Sequence, residues 1–194
     1  MTDSPEKHAL RAAAQSWAMP EPAAARRDAE LLAARVLGLA GFQAARAILL
    51  YWPMSPREMD VAPIARAALT LGKRVCIPKI EWGSRQMEPA ALEAWEESQI
   101  VRNSKGVPVP NPGLPNVKIE DLGMVIVPGI AFDSRGGRLG RGGGFYDRFL
   151  ARAGLAAKRV GVAFDAQIIA GVPMDRHDVC MDAVLTPTRT WMVG

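Results

Sequence analysis

The chain has only two cysteines, two histidines and two tyrosines among 194 residues. Cys76 and Cys180 are too few for a disulfide framework, and their spacing fits no metal-ligand pattern. Both stand in apolar, strand-like runs and are expected as buried, inert thiols. His8 and His177 have no Ser or Cys nucleophile pattern beside them, which argues against nucleophile–base catalysis. Aromatic residues make up 6%, and the net charge is only +4, with arginines scattered along the chain rather than massed in a tail or stripe. With no RNP-like or helix-turn-helix pattern, nucleic acid is not the expected partner. No apolar run approaches the length that spans a bilayer, and MTDSPEKHALR lacks the apolar segment of a secretory signal. These absences predict a soluble, cytoplasmic protein whose basic balance serves a small phosphorylated or carboxylated ligand.

What is present describes an ordinary globular chain, 49% hydrophobic and 23% charged, with enough residues for one substantial core. Ser4-Pro5-Glu6 combines an N-cap residue, proline at the first helical position and an acidic first turn, predicting a helix to about Trp17. A second helix is expected from Ala23 to Leu37, stopped near Gly38 and Gly41. Ala47 to Tyr51 is an apolar run of strand length. Ser55-Pro56-Arg57-Glu58 has the Ser/Glu spacing of a capping box and predicts a helix through Ile64 and Ala68 to Gly72. Val75-Cys76-Ile77 predicts a strand ended by Pro78.

From Ser84 to Leu122 the pattern weakens, with Leu92 to Ile100 read as helical and Val107 to Val117 as a loop. Met124 to Val127 is a strand run, Phe145 to Ala153 a helix, and Arg159 to Phe164 and Met181 to Leu185 are strands. Strands alternating with helices predict an α/β fold: a single three-layer α/β domain over residues 1–194, with a mainly parallel sheet covered on both faces.

The densest signal is PGIAFDSRGGRLGRGGGFYDRFL, from Pro128 to Leu150. Gly136, Gly137, Gly140, Gly142, Gly143 and Gly144 alternate there with Arg135, Arg138 and Arg141, between the strand run and the helix. A glycine-rich turn entering a helix presents bare backbone N–H groups to an anion, and arginine forks fit phosphate oxygens. The turn is neither a P-loop, because no Lys-Ser/Thr follows, nor a dinucleotide fingerprint, because counting from Gly140 the last glycine position falls on Phe145. Its specificity lies in the tail, Phe145-Tyr146-Asp147-Arg148.

Residues 128 to 147 resemble the P-G-x-A-F-D…R-L-G-x-G-x-G-[YF]-Y-D signature of the 5-formyltetrahydrofolate cyclo-ligase family, also called 5,10-methenyltetrahydrofolate synthetases. His177 to Thr186 (HDVCMDAVLT) is similar to a later family element, Ile48 to Asp60 (ILLYWPMSPREMD) to an upstream one, and Lys7-His8-Ala9-Leu10-Arg11 to the N-terminal K-x-x-[LI]-R. Three positions depart from the family pattern: Val109 replaces an acid in the central loop, Arg57 follows a proline, and Phe145 replaces the commoner tyrosine.

The resemblance implies a Rossmann-like fold of the layout found in sugar-phosphate isomerases and CoA transferases. It also implies Mg-ATP-dependent closure of 5-formyltetrahydrofolate to 5,10-methenyltetrahydrofolate, through a formyl group phosphorylated on oxygen. A small-molecule substrate is implied, without nucleic acid or membrane, and a monomer is expected, with a dimer as the alternative. ATP would be held by Lys7, His8, Ala9, Leu10, Arg11, Arg138, Leu139, Gly140, Arg141, Gly142, Gly143, Gly144, Phe145 and Tyr146. The folate would be bordered by Trp52, Glu58, Arg141, Gly142, Gly143, Gly144 and Phe145. Arg141 would be catalytic, and Asp147 and Asp182 would bind Mg²⁺.

Read from the residues alone, other roles stay open. Glu58 is equally the acid of a capping box, Lys7 and Arg11 a solvated helix face, and Trp52 beside Pro53 a core residue. Asp147 in a first helical turn is favoured by the dipole without any metal. Asp182, in an apolar run, needs a partner. A sugar-phosphate isomerase-like enzyme, or a nucleotide- or folate-binding module without turnover, stands as the alternative.

Overall fold

The apolar runs expected as strands lie side by side in one sheet in the computed structural model, which describes residues 4–104 and 106–193. In chain order the elements are α1 (Pro5–Ala14), α2 (Pro22–Leu37), α3 (Ala40–Ala44), β1 (Ala47–Leu49), α4 (Ala62–Thr70), β2 (Arg74–Glu81) and β3 (Gln86–Leu92). Then come β4 (Ile100–Arg102), β5 (Pro108–Pro110), β6 (Leu122–Pro128), β7 (Ala131–Phe132), β8 (Arg138–Leu139), α5 (Phe145–Leu150), β9 (Lys158–Val162), β10 (Ala183–Leu185) and β11 (Thr190–Met192). The main sheet runs β11-β10-β9-β6-β1-β2-β3. Its five inner strands are parallel, and β3 and β11 close the two edges antiparallel.

Alternation along β6 explains why the sheet is covered twice. Met124 and Ile126 point to one face, where they pack with Leu32 and Val36 of α2 and Ile64 of α4. Val125 and Val127 point to the other, against Phe132 and Phe149. Successive side chains of a strand face opposite ways, so an unbroken apolar run requires apolar layers on both sides. Phe132 anchors the β7–β8 hairpin to the second layer. Its ring fills the space beside Gly129 and Gly161, where an added Cβ at either would lie 2.5 Å from it.

Several element bounds differ from expectation, for local reasons. Ser4 caps α1 by accepting from the Lys7 amide at 3.2 Å, but the helix ends at Ala14 rather than Trp17. No capping box forms at Ser55. Residues 55–58 make a turn, and α4 begins at Ala62, where Asp60 accepts from the Ala62 amide at 2.8 Å. β2 continues past Pro78, because β1 ends opposite Cys76 and leaves that side of β2 unpaired from there on. The stretch read as weak contains β3, and the segment expected as helix is a single tight turn, Glu97–Gln99, leading into β4. α5 stops at Leu150 rather than Ala153, and β11 was not foreseen. Cys76 is buried, and burial pushes its thiol up to about 12. Cys180 is exposed, because it precedes β10 instead of lying within a strand.

Candidate active site

The strand order reverses direction between β6 and β1, with β2 following on one side and β9 on the other. In open α/β sheets, ligands bind beyond the carboxyl ends of the strands at such a point. Here Tyr51 and Trp52 leave β1, Pro128 and Gly129 end β6, and all four line a cleft of about 1010 Å³. Its walls also include Lys7 and Arg11 of α1, the β2–β3 hairpin, the turn from Arg138 to Gly144, the start of α5, and the loop from Met174 to Asp178.

The Gly/Arg turn reaches the cleft because its hairpin folds back over the sheet end. Ile130 N donates to Leu139 O at 2.7 Å. Buried Asp133 holds the turn closed, with Oδ1 accepting from the Arg135 and Gly137 amides at 2.8 and 2.9 Å and Oδ2 from Val172 N at 2.8 Å. Gly144, the residue before α5, has φ +65°, a conformation that side-chain-bearing residues rarely adopt.

Three cation–carboxylate groups meet in this space. Arg138, with 4% of its side chain exposed, donates from Nη2 to both oxygens of Asp147 at 2.9 and 3.0 Å. Arg141 donates from Nη2 to Glu58 Oε1 at 2.8 Å, while Glu58 Oε2 accepts from the Met54 amide at 2.7 Å. Buried Lys7 places Nζ between Asp175, at 2.7 Å, and Asp178. Burial works to lower the Lys7 pKa, but the hydrogen bonds and charges of the two aspartates outweigh it and hold the ammonium above its ordinary range. Arg11 donates from Nε to Gly140 O at 2.7 Å.

Another part of the cleft wall is apolar. Trp52 lines it, with its ring stacked on Trp95 at 4.5 Å. Ile80, Trp82 and Met87 come from the hairpin, and Trp82 meets Phe145 edge-on at 5.2 Å. Tyr146 also lines the cleft, with a buried hydroxyl that has no hydrogen-bond partner among the described residues. Burial pushes that hydroxyl well up in pKa, against the opposing charge of Arg138, so it stays protonated and can donate. Buried polar groups are normally paired, which marks this wall as a place for a ligand.

Most expected site residues converge here: Lys7, Arg11, Trp52, Glu58, Asp147 and the whole run from Arg138 to Tyr146 line the cleft. His8 and Ala9 face solvent instead. Leu10 packs beside Ala131, Leu139 and Val172, because only every third or fourth residue of α1 can face the cleft. Asp182 is not brought to the site. It lines a separate small pocket, and Arg159 Nε and Nη2 grip its two oxygens at 2.9 and 2.7 Å. The hydrogen bond from Arg159 lowers its pKa, against the opposing effect of burial. Its partner is thus an arginine, and the carboxylate of the His177–Thr186 segment that lines the cleft is Asp178, four residues earlier. The acidic pair Asp175/Asp178 three residues apart was the available sequence signal.

Asp182→Asn is therefore expected to leave any Mg²⁺ dependence unchanged. A carboxylate with a depressed folded pKa contributes stability above its unfolded pKa and loses it as pH falls through the folded one. The wild type should accordingly exceed the variant in melting temperature at neutral pH, and the gap should close in strong acid. A Mg²⁺ requirement shifted to higher concentration in the variant would return Asp182 to the metal site.

A model of the 5-formyltetrahydrofolate cyclo-ligase family matches residues 3–187. The 5-formyltetrahydrofolate cyclo-ligase of Mycolicibacterium smegmatis is 34% identical, over 74% of this chain and 75% of the relative. That of Escherichia coli K12 is 33% identical, over 69% and 74%. The solved structure of Aquifex aeolicus 5,10-methenyltetrahydrofolate synthetase superposes with a TM-score of 0.79 at 28% identity, covering 96% of this chain and 92% of that one. A Mycoplasma pneumoniae protein of the same description shares the fold, with a TM-score of 0.73 at 18% identity over 94% and 99%.

Proposed function

The chain belongs to the 5-formyltetrahydrofolate cyclo-ligase family, and we propose that its cleft closes 5-formyltetrahydrofolate to 5,10-methenyltetrahydrofolate with cleavage of ATP to ADP and phosphate. The observation that carries this reading is the single cleft in which an arginine- and lysine-lined end adjoins an aromatic, apolar end, with Arg141 and Glu58 at their junction. A triphosphate suits the first end and a flat, fused heterocycle the second.

A formamide oxygen leaves poorly. It becomes a good leaving group once it has attacked the γ-phosphorus and ADP has departed. N10 then bonds to the formyl carbon, the carbon–oxygen bond breaks, and phosphate leaves with the former formyl oxygen while the N10 proton is lost. The protein's part is to bring these atoms into line and to hold the charge that accumulates on the phosphoryl oxygens.

Lys7, Arg11, Arg138 and the backbone from Gly140 to Gly144 form the phosphate end. Arg141, more than half exposed to the cleft, keeps guanidinium donors beyond the one given to Glu58. Glu58 fixes the arginine's direction, and Trp52, Trp82 and Phe145 exclude water from the folate side. The donor set also fits a hard cation: Asp147 and Asp178 line the phosphate end, and Mg²⁺ takes one or two carboxylates while keeping waters and phosphate oxygens. No group of three or more acidic, histidine or cysteine residues placed to hold a metal ion occurs among the described residues. Asp147 and Asp178 would hold Mg²⁺, which supplies charge neutralisation of the triphosphate.

The test is formation of the methenyl chromophore from 5-formyltetrahydrofolate by the purified chain. We expect it only with Mg-ATP present, with one ADP released per product. A folded chain that binds folate yet gives no ATP-dependent chromophore would overturn the reading in favour of a binding module.

A further inference from the structure

The phosphate end of the cleft depends on a helix with few attachments. Among the described residues, α1 makes no broad contact with any other helix or strand. Besides Leu10 and Trp17 resting on a small apolar cluster, it is held through Lys7, Arg11 and its own C-terminal end. At that end the last carbonyls of a helix lack the usual i+4 donors. Ala14 O accepts from Trp17 N, and Arg57 Nη1 donates to it as well at 3.2 Å, while Nη2 donates to Gln15 O and, at 3.2 Å, to Trp17 O, both just past the helix.

The backbone of Arg57 is gripped from the opposite direction. Buried Gln167 donates from Nε2 to Arg57 O at 3.2 Å, and the same amide nitrogen reaches Ile130 O at 3.1 Å, where β6 passes into the Gly/Arg hairpin. The next residue is Glu58, which directs Arg141. Arg57 therefore stands where three parts of the cleft cross: the helix carrying Lys7 and Arg11, the loop carrying Trp52 and Glu58, and the root of the hairpin carrying Arg138 and Arg141.

We infer that Arg57 is a positioning residue that couples the two ends of the cleft, so that a nucleotide drawn against α1 sets the Glu58 loop for folate, and folate sets α1 for the nucleotide. The inference rests on the cyclo-ligase reading of the cleft. Arg57 touches neither ligand end itself; it transmits through a planar fork that serves three carbonyls at once. Lysine, with a single point charge, cannot reproduce that geometry in full. Coupling between ligands is reciprocal, which gives the idea a measurable form.

The experiment compares wild type with Arg57→Met, Arg57→Lys and a control, Arg35→Met. Arg35 likewise donates to loop carbonyls, those of Pro187 and Thr188, away from the cleft. In wild type, 5-formyltetrahydrofolate should tighten a non-hydrolysable ATP analogue, and the analogue should slow hydrogen exchange across α1. Arg57→Met should abolish that tightening and raise KM for both substrates about tenfold, with kcat changed by less than about threefold. It should also leave α1 exchanging freely with nucleotide bound. Arg57→Lys should recover part of each effect, and Arg35→Met should lower the melting temperature without touching KM or coupling.

Wild-type coupling and wild-type α1 protection in Arg57→Met would overturn the inference, as would equal losses in Arg35→Met. Should Arg57→Met fail to fold, Arg57→Lys carries the same comparison. The exchange readout needs no turnover, so a chain that binds both ligands without forming methenyl product refutes the cyclisation reading while α1 protection still decides the role of Arg57.

Discussion

Arg141→Ala is expected to lower kcat by about 100- to 1000-fold, the usual effect of removing a donor aimed at charge that develops in the transition state. KM for 5-formyltetrahydrofolate should move by less than about threefold. The structure supports this split. The Arg141 side chain is 54% exposed and contributes little to packing, but Glu58, 9% exposed, would keep only the Met54 amide, so the variant should melt somewhat below wild type while staying folded. One donor holds Glu58 at 2.8 Å, and the rest of the fork faces the cleft. An arginine so placed costs little in the empty enzyme and acts where negative charge arrives. Steady-state kinetics with both substrates varied separate the alternatives. A large rise in KM at unchanged kcat would mean that Arg141 only binds the ground state. The transition-state role would then fall.

Asp147→Asn should act differently, on metal dependence and stability together. The carboxylate receives Nη2 of Arg138 through both oxygens. Asparagine keeps one carbonyl for that arginine but leaves the buried guanidinium without its counter-charge. Breaking a buried pair outright costs about 3–5 kcal/mol, so this milder change should cost less, read as a shifted denaturant midpoint. Turnover at low Mg²⁺ should fall by more than about tenfold, with partial recovery as Mg²⁺ is raised, because a site with one carboxylate fewer binds the ion more weakly. A variant that loses stability but keeps the wild-type Mg²⁺ curve would make Asp147 a structural partner of Arg138 and nothing more.

The parts legible in the sequence were those fixed by local chemistry. Ser4-Pro5-Glu6 could hardly start anything but a helix, and the run from Met124 to Val127 is apolar at every position, as a strand buried on both faces must be. The Gly/Arg turn, which lines the cleft, could be singled out for the same reason, since its neighbours in the chain are its neighbours in space. What could not be read depends on residues far apart in the chain. The Ser55/Glu58 spacing fits a capping box, but Arg141, 83 residues away, takes the glutamate instead. Asp182 and Asp178 both sit in a family-like segment, and only the position of Arg159 relative to β10 decides which carboxylate is bound outside the cleft. The edge strand β3 was hidden because its proline and glutamate suit an edge and not the buried pattern that identifies central strands.

The placement of α1 has a consequence for how the chain is made. Lys7 finds its aspartates 168 and 171 residues further on, and Arg11 its carbonyl 129 residues further on. During synthesis α1 emerges well before the carbonyl and the aspartates that Arg11 and Lys7 engage. Contacts so distant form late, after loop closure has been compensated by the packed sheet. A segment early in the sequence thus docks late, and the wall of the cleft that carries Lys7 and Arg11 is completed only after residues 140–178 have been made.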